Sequence, residues 1–256
     1  MFRSFAVSAA TALALASPLA AQSGGFGEDL DDEGRAALRA EIRDYLMAHP
    51  EVIFEAVAEF ERRNVEQQAD MDATLVEINA DDIFDDGYSW VGGNPDGDIT
   101  LVEFMDYRCS FCRRAFPQMM DFAESDGNVR LVVKEFPILG PESETMSRFA
   151  VAVHQLGGDE TYFAAHERLM SWEGEVRDSA LGGLASELGL DAEAVLERMD
   201  TAAVSEIISS NRALAQRLQI SGTPSFVMGT ADGNAEMLRG FLPAEELHNL
   251  ASQLRG

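Results

Sequence analysis

Only two cysteines occur in the 256 residues, and they stand together as Cys109-Ser110-Phe111-Cys112. That scarcity excludes a framework of structural disulfides, and it leaves no second CxxC to complete a four-ligand zinc site. Positive charge is scarce as well: 19 Lys+Arg face 45 Asp+Glu, the formal net charge is -26, and Lys134 is the one lysine. A field of that sign repels phosphate backbones and anionic lipid headgroups, which argues against nucleic acid as a partner. The four histidines at 49, 154, 166 and 248 show no metal-ligand spacing, and the 11 methionines form no cluster beyond Met119-Met120. No metal or other cofactor is expected. Long apolar runs are also missing: the run from Phe5 to about Ala16 falls short of the roughly 20 residues that a membrane span needs.

That short run has the form of an export signal. Arg3 precedes it, and Ser17-Pro18-Leu19-Ala20-Ala21 supplies small residues for cleavage after Ala21. Residues 1–21 are therefore expected to be a signal peptide and the mature chain to work in an oxidising compartment. Residues 22–85 divide into a polar linker, Gly24 to Gly34, and a helical arm from about 33 to 80. Leu38, Ile42, Tyr45 and Leu46 recur at helical spacing, and His49-Pro50 interrupts them. Val52, Ile53, Ala56, Val57 and Phe60 continue on a second helix, with a weaker pattern at Met71, Leu75 and Ile78. The apolar stripe of this arm has to be covered, either by the main domain or by a second copy of the chain.

Residues 86–256 show a different pattern. Ile99 to Met105 is a β-rich run behind the turn Asn94-Pro95-Asp96-Gly97, the cysteine segment is helical to about Ala123, and Val129 to Phe136 is a second β-rich run. This order predicts a βαβ unit with a parallel pair. Helical segments fill an insertion at about 141–218. Ser225 to Met228 and Ala235 to Arg239 then form an antiparallel hairpin, and a helix from Pro243 to Leu250 closes the chain.

A disulfide across two intervening residues closes almost no loop, so Cys109–Cys112 is a poor structural staple. A redox pair fits better, because the motif follows a strand and opens a helix. There the first sulfur meets unpaired N–H groups and the positive end of the helix dipole, which stabilise a thiolate. In this reading Cys109 attacks and Cys112, one turn deeper, resolves the mixed disulfide.

Phe104 to Cys112, Pro117 eight residues after Cys109, and Ile220-Ser221-Gly222-Thr223-Pro224-Ser225-Phe226-Val227 together resemble the DsbA-like branch of the thioredoxin superfamily, in particular its ScsC-like members with an N-terminal helical arm. The resemblance covers about Ser89 to Gly256. It implies an α/β thioredoxin-like fold with a helical insertion, preceded by the α-helical arm, and a periplasmic thiol:disulfide interchange enzyme. It also implies that Pro224 is a cis-proline facing the cysteines and that Thr223-Pro224 holds a substrate's extended backbone. Glu103 matches the family's buried glutamate that passes protons to the resolving thiol, and Lys134 falls near that glutamate's lysine partner. On the residues alone, the alternative reading of both is a charge on a sheet face or edge. The partners implied are unfolded or misfolded exported proteins, a membrane-bound redox recycling partner and, through the arm, further copies of the chain. Ser110-Phe111 departs from the Pro-His of strong oxidants, and Thr223 is similar to the residue of isomerases, so mixed oxidase and isomerase character is expected. A rival reading is a redox-independent periplasmic chaperone or metal-tolerance adaptor using the same groove.

Overall fold

A computed structural model describes residues 30–256; the expected signal peptide and the first part of the linker lie outside the described residues. The first helix, α1 (Asp32–Ala48), starts where Asp31 caps it by accepting a hydrogen bond from Gly34 N at 2.8 Å. It ends at His49-Pro50, and α2 (Glu51–Ile78) then runs 28 residues without a break. Two compact units divide within α2, at Glu61 and Arg62. In the described part of the first, α1 buries no residue, and Ile42, Tyr45, Met47, Ile53, Phe54 and Phe60 are exposed.

The second unit, Arg62–Gly256, holds the rest of α2 followed by α3 (Ala80–Phe84), β1 (Trp90–Gly93), β2 (Ile99–Met105), α4 (Ser110–Asp126) and β3 (Val129–Glu135). It continues with α5 (Pro141–Met170), α6 (Asp178–Glu187), α7 (Ala192–Met199), α8 (Ala202–Arg217), β4 (Ser225–Thr230), β5 (Ala235–Arg239) and α9 (Ala244–Arg255). The sheet order is β1-β3-β2-β4-β5. β2 and β3 are parallel, as expected of the βαβ unit, and β4 pairs antiparallel with both β2 and β5. This is the thioredoxin-like arrangement, with α5 to α8 as the insertion. Gly158, at φ 77° and ψ -173°, divides α5 into the two helical stretches anticipated there.

β1 was not foreseen. Its sequence, Trp90-Val91-Gly92-Gly93, is half glycine, which weakens the strand signal of Trp90 and Val91, yet it pairs antiparallel with β3. Gly93 makes this possible with φ 67°, and a Cβ there would lie 2.4 Å from the Val129 carbonyl oxygen.

The sheet buries both faces, each by strand alternation. Leu101, Met105, Leu131, Val133, Phe226 and Met228 face one way, under Ala115, Met119 and Phe122 of α4 and Leu247 and Ala251 of α9. Val102, Phe104, Val132, Phe136, Val227 and Met237 face the other, under Val76, Ile83, the α8 residues Leu214 and Ala215, and Leu218 at the C-cap of α8. Residues 62–85, assigned above to the arm, thus belong to the main unit, because Val76 and Ile83 are part of its core. Four cations fasten this segment. Arg239 forks onto Asp72, Arg217 reaches Asn79 Oδ1 at 2.6 Å and pairs with Asp82, Arg130 donates to the Phe84 carbonyl at 2.8 Å, and Lys134 donates to the Asp82 carbonyl at 2.7 Å.

Candidate active site

β2 delivers the chain into the tight stretch Asp106-Tyr107-Arg108. Asp106 Oδ1 accepts from Arg108 N at 2.7 Å, and its Oδ2 accepts from Ile138 N at 2.8 Å and Leu139 N at 3.0 Å. One buried carboxylate therefore fixes the loop before the cysteines to the loop after β3. Cys109 N donates to the Asp106 carbonyl at 3.0 Å, which sets Cys109 as the N-cap of α4 in extended conformation.

The Cys109 side chain makes no capping bond. Its Sγ donates instead to the Thr223 carbonyl oxygen at 3.2 Å, and the Thr223–Pro224 peptide is cis. The neighbouring strand end is closed by Gly240 N, which donates to the Pro224 carbonyl at 2.9 Å. Four of the six anticipated site residues, Cys109, Cys112, Thr223 and Pro224, thus meet where α4 begins and β4 begins. Both cysteines are free thiols. Cys109 is 6% exposed and Cys112 fully buried, an order of access that suits an attacking and a resolving sulfur. Pro117 lies inside α4 and leaves the Arg113 carbonyl without its helical donor.

Glu103 is buried on the same face as the cysteines, beneath α4, and neither of its oxygens has a hydrogen-bond partner among the described residues. Burial first, and then the charge of Glu135, push its carboxyl up to about 8. Burial also holds the Cys112 thiol well above its usual range, with the Glu103 carboxylate adding to the effect. Glu103 is in electrostatic reach of the resolving thiol.

Lys134 is not its partner. In the β2–β3 register Glu103 stands opposite Val133, while Lys134 stands opposite Phe104, so the two side chains leave the sheet on opposite faces. The Lys134 ammonium pairs with Asp86 and lies 5.7 Å from the centre of the Tyr88 ring. Burial would raise Asp86, but the charge and hydrogen bond of Lys134 outweigh it and hold the carboxyl below its usual range. The sequence reading missed Asp86, because nothing in the acidic stretch 81–86 distinguishes which carboxylate turns inward.

It also missed a polar cluster around Glu135. Glu135 Oε1 accepts from the Tyr107 hydroxyl at 2.8 Å and the Tyr162 hydroxyl at 2.7 Å, and Tyr107 Oη lies 2.9 Å from His166 Nδ1. All four residues are buried. A signal was present: Lys134-Glu135 puts two charges side by side in an apolar strand, so one must enter each face. At the rim, Arg114 stacks over Phe241 and Phe111, with its guanidinium carbon 4.8 Å and 5.5 Å from the ring centres, and Phe111 and Leu139 are exposed. No cluster of three or more His, Cys, Asp or Glu among the described residues is arranged to hold a metal.

The model of the DSBA-like thioredoxin domain matches residues 100–255. The chain belongs to that family. A second model, that of the copper resistance protein ScsC N-terminal domain, matches residues 35–67, which covers most of α1 and more than half of α2. The DSBA-like domain is similar to a crystal structure described as a thioredoxin-like oxidoreductase from Silicibacter pomeroyi DSS-3. That match has 38% identity, covers 69% of this chain and 98% of that one, and has a TM-score of 0.62. Among curated proteins it is similar to a probable disulfide bond formation protein D of Bacillus cereus, 25% identical over 52% of this chain and 66% of that protein. It is also similar to the Na(+)/H(+) antiporter NhaA 1 of Salinispora arenicola, 26% identical over 53% of this chain. The chain spans only 21% of that antiporter's length. The fold and the thiol-disulfide oxidoreductase family are thereby established for the DSBA-like domain.

Proposed function

We propose that this chain is an exported, periplasmic thiol:disulfide interchange enzyme that both forms and isomerises disulfides in unfolded or misfolded exported proteins. The observation that carries the reading is the Cys109 thiol at the start of α4, 3.2 Å from the Thr223 carbonyl and beside the cis Thr223–Pro224 peptide. A substrate strand pairing with the backbone at Thr223 brings its own sulfur alongside Cys109 Sγ. Cys109 takes that sulfur into a mixed disulfide, and Cys112 displaces it from the buried side. A membrane-bound redox partner then resets the pair. The test is reactivation of a scrambled-disulfide protein in a weakly reducing glutathione buffer. The wild-type chain restores activity; oxidation of reduced substrate without any unscrambling refutes the isomerase half of the reading.

The arm serves self-association in this reading. Supporting it are the exposed apolar residues of α1 and α2 and the match of residues 35–67 to an ScsC N-terminal model. Several active sites around one misfolded chain favour reshuffling through higher local concentration. Light scattering of the mature chain is expected to give an oligomer, and deletion of residues 30–61 a monomer that still oxidises dithiols and unscrambles poorly. A monomeric mature chain refutes the arm's role.

A further inference from the structure

The cysteine-bearing face of the sheet carries two buried carboxylates, and their surroundings are unequal. Glu103 on β2 stands level with Val133, and Glu135 is two residues further along β3, level with Met105, so the two are diagonal neighbours on one face. The groups turned toward them are the Cys112 thiol from α4, Asp106 and Tyr107 from the loop after β2, and Ser147, Tyr162 and His166 from α5. The nearest strand cation, Lys134, leaves through the opposite face, and the Arg113 guanidinium is engaged with the Tyr107 carbonyl at 2.8 Å. Two adjacent carboxylates in a dry site do not both ionise readily, so the pair titrates in two coupled steps. The first charge goes to the carboxylate with hydrogen-bond donors. Glu135 has two phenol donors, whereas Glu103 has none; burial pushes the Glu135 carboxyl up to about 7, still below the value of about 8 to which Glu103 is pushed.

The tautomer of His166 sets how many donors Glu135 keeps. Burial holds its imidazole down at about 3, so the ring is neutral and carries one proton. With that proton on Nδ1, His166 donates to Tyr107, and Tyr107 is free to donate to Glu135; with it on Nε2, Tyr107 turns to His166 and Glu135 loses a donor.

We propose that Glu135, held by Tyr107 and Tyr162, keeps the single negative charge of the carboxyl pair and thereby holds Glu103 as the acid that protonates Cys112. This rests on the exchange reading above. The step begins from the Cys109–Cys112 disulfide, made by a low-molecular-weight disulfide such as glutathione disulfide. A substrate thiolate attacks Cys109 Sγ, the substrate–Cys109 bond forms, and the Cys109–Cys112 bond breaks with its electron pair on Cys112 Sγ. Glu103 then gives its proton to that sulfur. Glu135 touches no reacting atom and is a positioning residue for the charge.

The test uses the mature protein oxidised with glutathione disulfide and follows the carboxyl C=O stretch of Glu103 by infrared titration, with Glu103→Gln identifying the band. In wild type the protonated band persists at neutral pH and fades near pH 8. Glu135→Gln removes the competing charge and lowers that midpoint by on the order of one pH unit. Single-turnover oxidation of a reduced dithiol peptide then slows several-fold above the new midpoint and keeps its wild-type rate below it. Tyr162→Phe moves the midpoint the same way, since Glu135 then takes the proton, and it decides the matter if Glu135→Gln does not fold. A Glu103 midpoint unmoved in a folded variant, or a rate lowered equally at every pH, overturns the proposal and leaves Glu135 as packing. Failure of the exchange reading shows differently: the wild-type protein then oxidises no peptide at any pH, whatever the Glu103 band does.

Discussion

Cys109→Ser is expected to abolish thiol–disulfide exchange, lowering the rate by more than about 10³-fold, while Cys112→Ser stops the reaction one step later. The difference follows from where the two sulfurs lie. Cys109 Sγ is at the N-cap of α4, against the Thr223 carbonyl and at the edge of solvent. Cys112 is buried, with burial and Glu103 both opposing its ionisation. A serine hydroxyl in place of Cys109 has no thiolate to offer, so no mixed disulfide forms. With Cys112 replaced, Cys109 still captures substrate, but the displacement that frees it is missing and the mixed disulfide accumulates. Mass spectrometry after incubation with a disulfide peptide reads both outcomes: an unmodified Cys109→Ser chain and a Cys112→Ser chain carrying one covalently bound peptide. Equal trapping by the two variants, or residual exchange by Cys109→Ser, contradicts the assignment.

The second large effect is on stability. Lys134→Met is expected to cost about 3–5 kcal/mol, because it leaves the Asp86 carboxylate buried without its cation. In a domain of this size that lowers the melting temperature by about 10 °C. The Lys134 side chain is 0% exposed and the Asp86 side chain 5%. Asp86 still receives hydrogen bonds from the backbone of Tyr88 and Ser89 and from the Ser89 hydroxyl, so its geometry survives better than its charge. Pairing the change with Asp86→Asn is expected to recover more than half of the loss, since no unpaired charge then remains. Urea unfolding at unchanged m-value measures both. The sign with pH is also set: Asp86 has its carboxyl held low in the folded state, so its contribution is present above the ordinary carboxylate range. It is lost as pH falls through the depressed folded value. Because the ammonium lies on the face away from the thiols, folded Lys134→Met is expected to exchange disulfides at the wild-type rate. A loss below about 1 kcal/mol would show that the pair is not the clamp its burial implies.

The parts of this protein that were legible in its sequence are those written locally. Cys109-x-x-Cys112 needs only a strand before it and a helix after it, whereas Thr223-Pro224 at the start of β4 stands out only through the resemblance of Ile220 to Val227 and the presence of the cysteine pair. The helices of the arm show in the spacing of Leu38, Ile42 and Tyr45. What stayed hidden depends on long-range pairing. β1 is strand because β3 offers it an edge, despite two glycines in four residues. Residues 62–85 continue the helical pattern of the arm, and only the positions of Val76 and Ile83 against Phe104 and Leu214 reveal that they belong to the main unit. Lys134 was placed beside Glu103 because both interrupt apolar strands. Their separation depends on register, which a single residue reverses.

That register has a consequence for how the two strands carry charge. Lys134 and Glu135 are consecutive, and they emerge on opposite sides of β3: the lysine with Asp86, the glutamate with Glu103 and the cysteine helix. The sheet therefore works like the insulating layer of a capacitor, with an ammonium on one plate and acidic protons on the other. Any change of strand length by an odd number of residues between the start of β3 and Lys134 would exchange the plates. It would bring the Lys134 ammonium against Glu103 and favour the carboxylate over the acid there. Within β3, only insertions or deletions in steps of two residues leave the ammonium and the carboxyls on their separate faces.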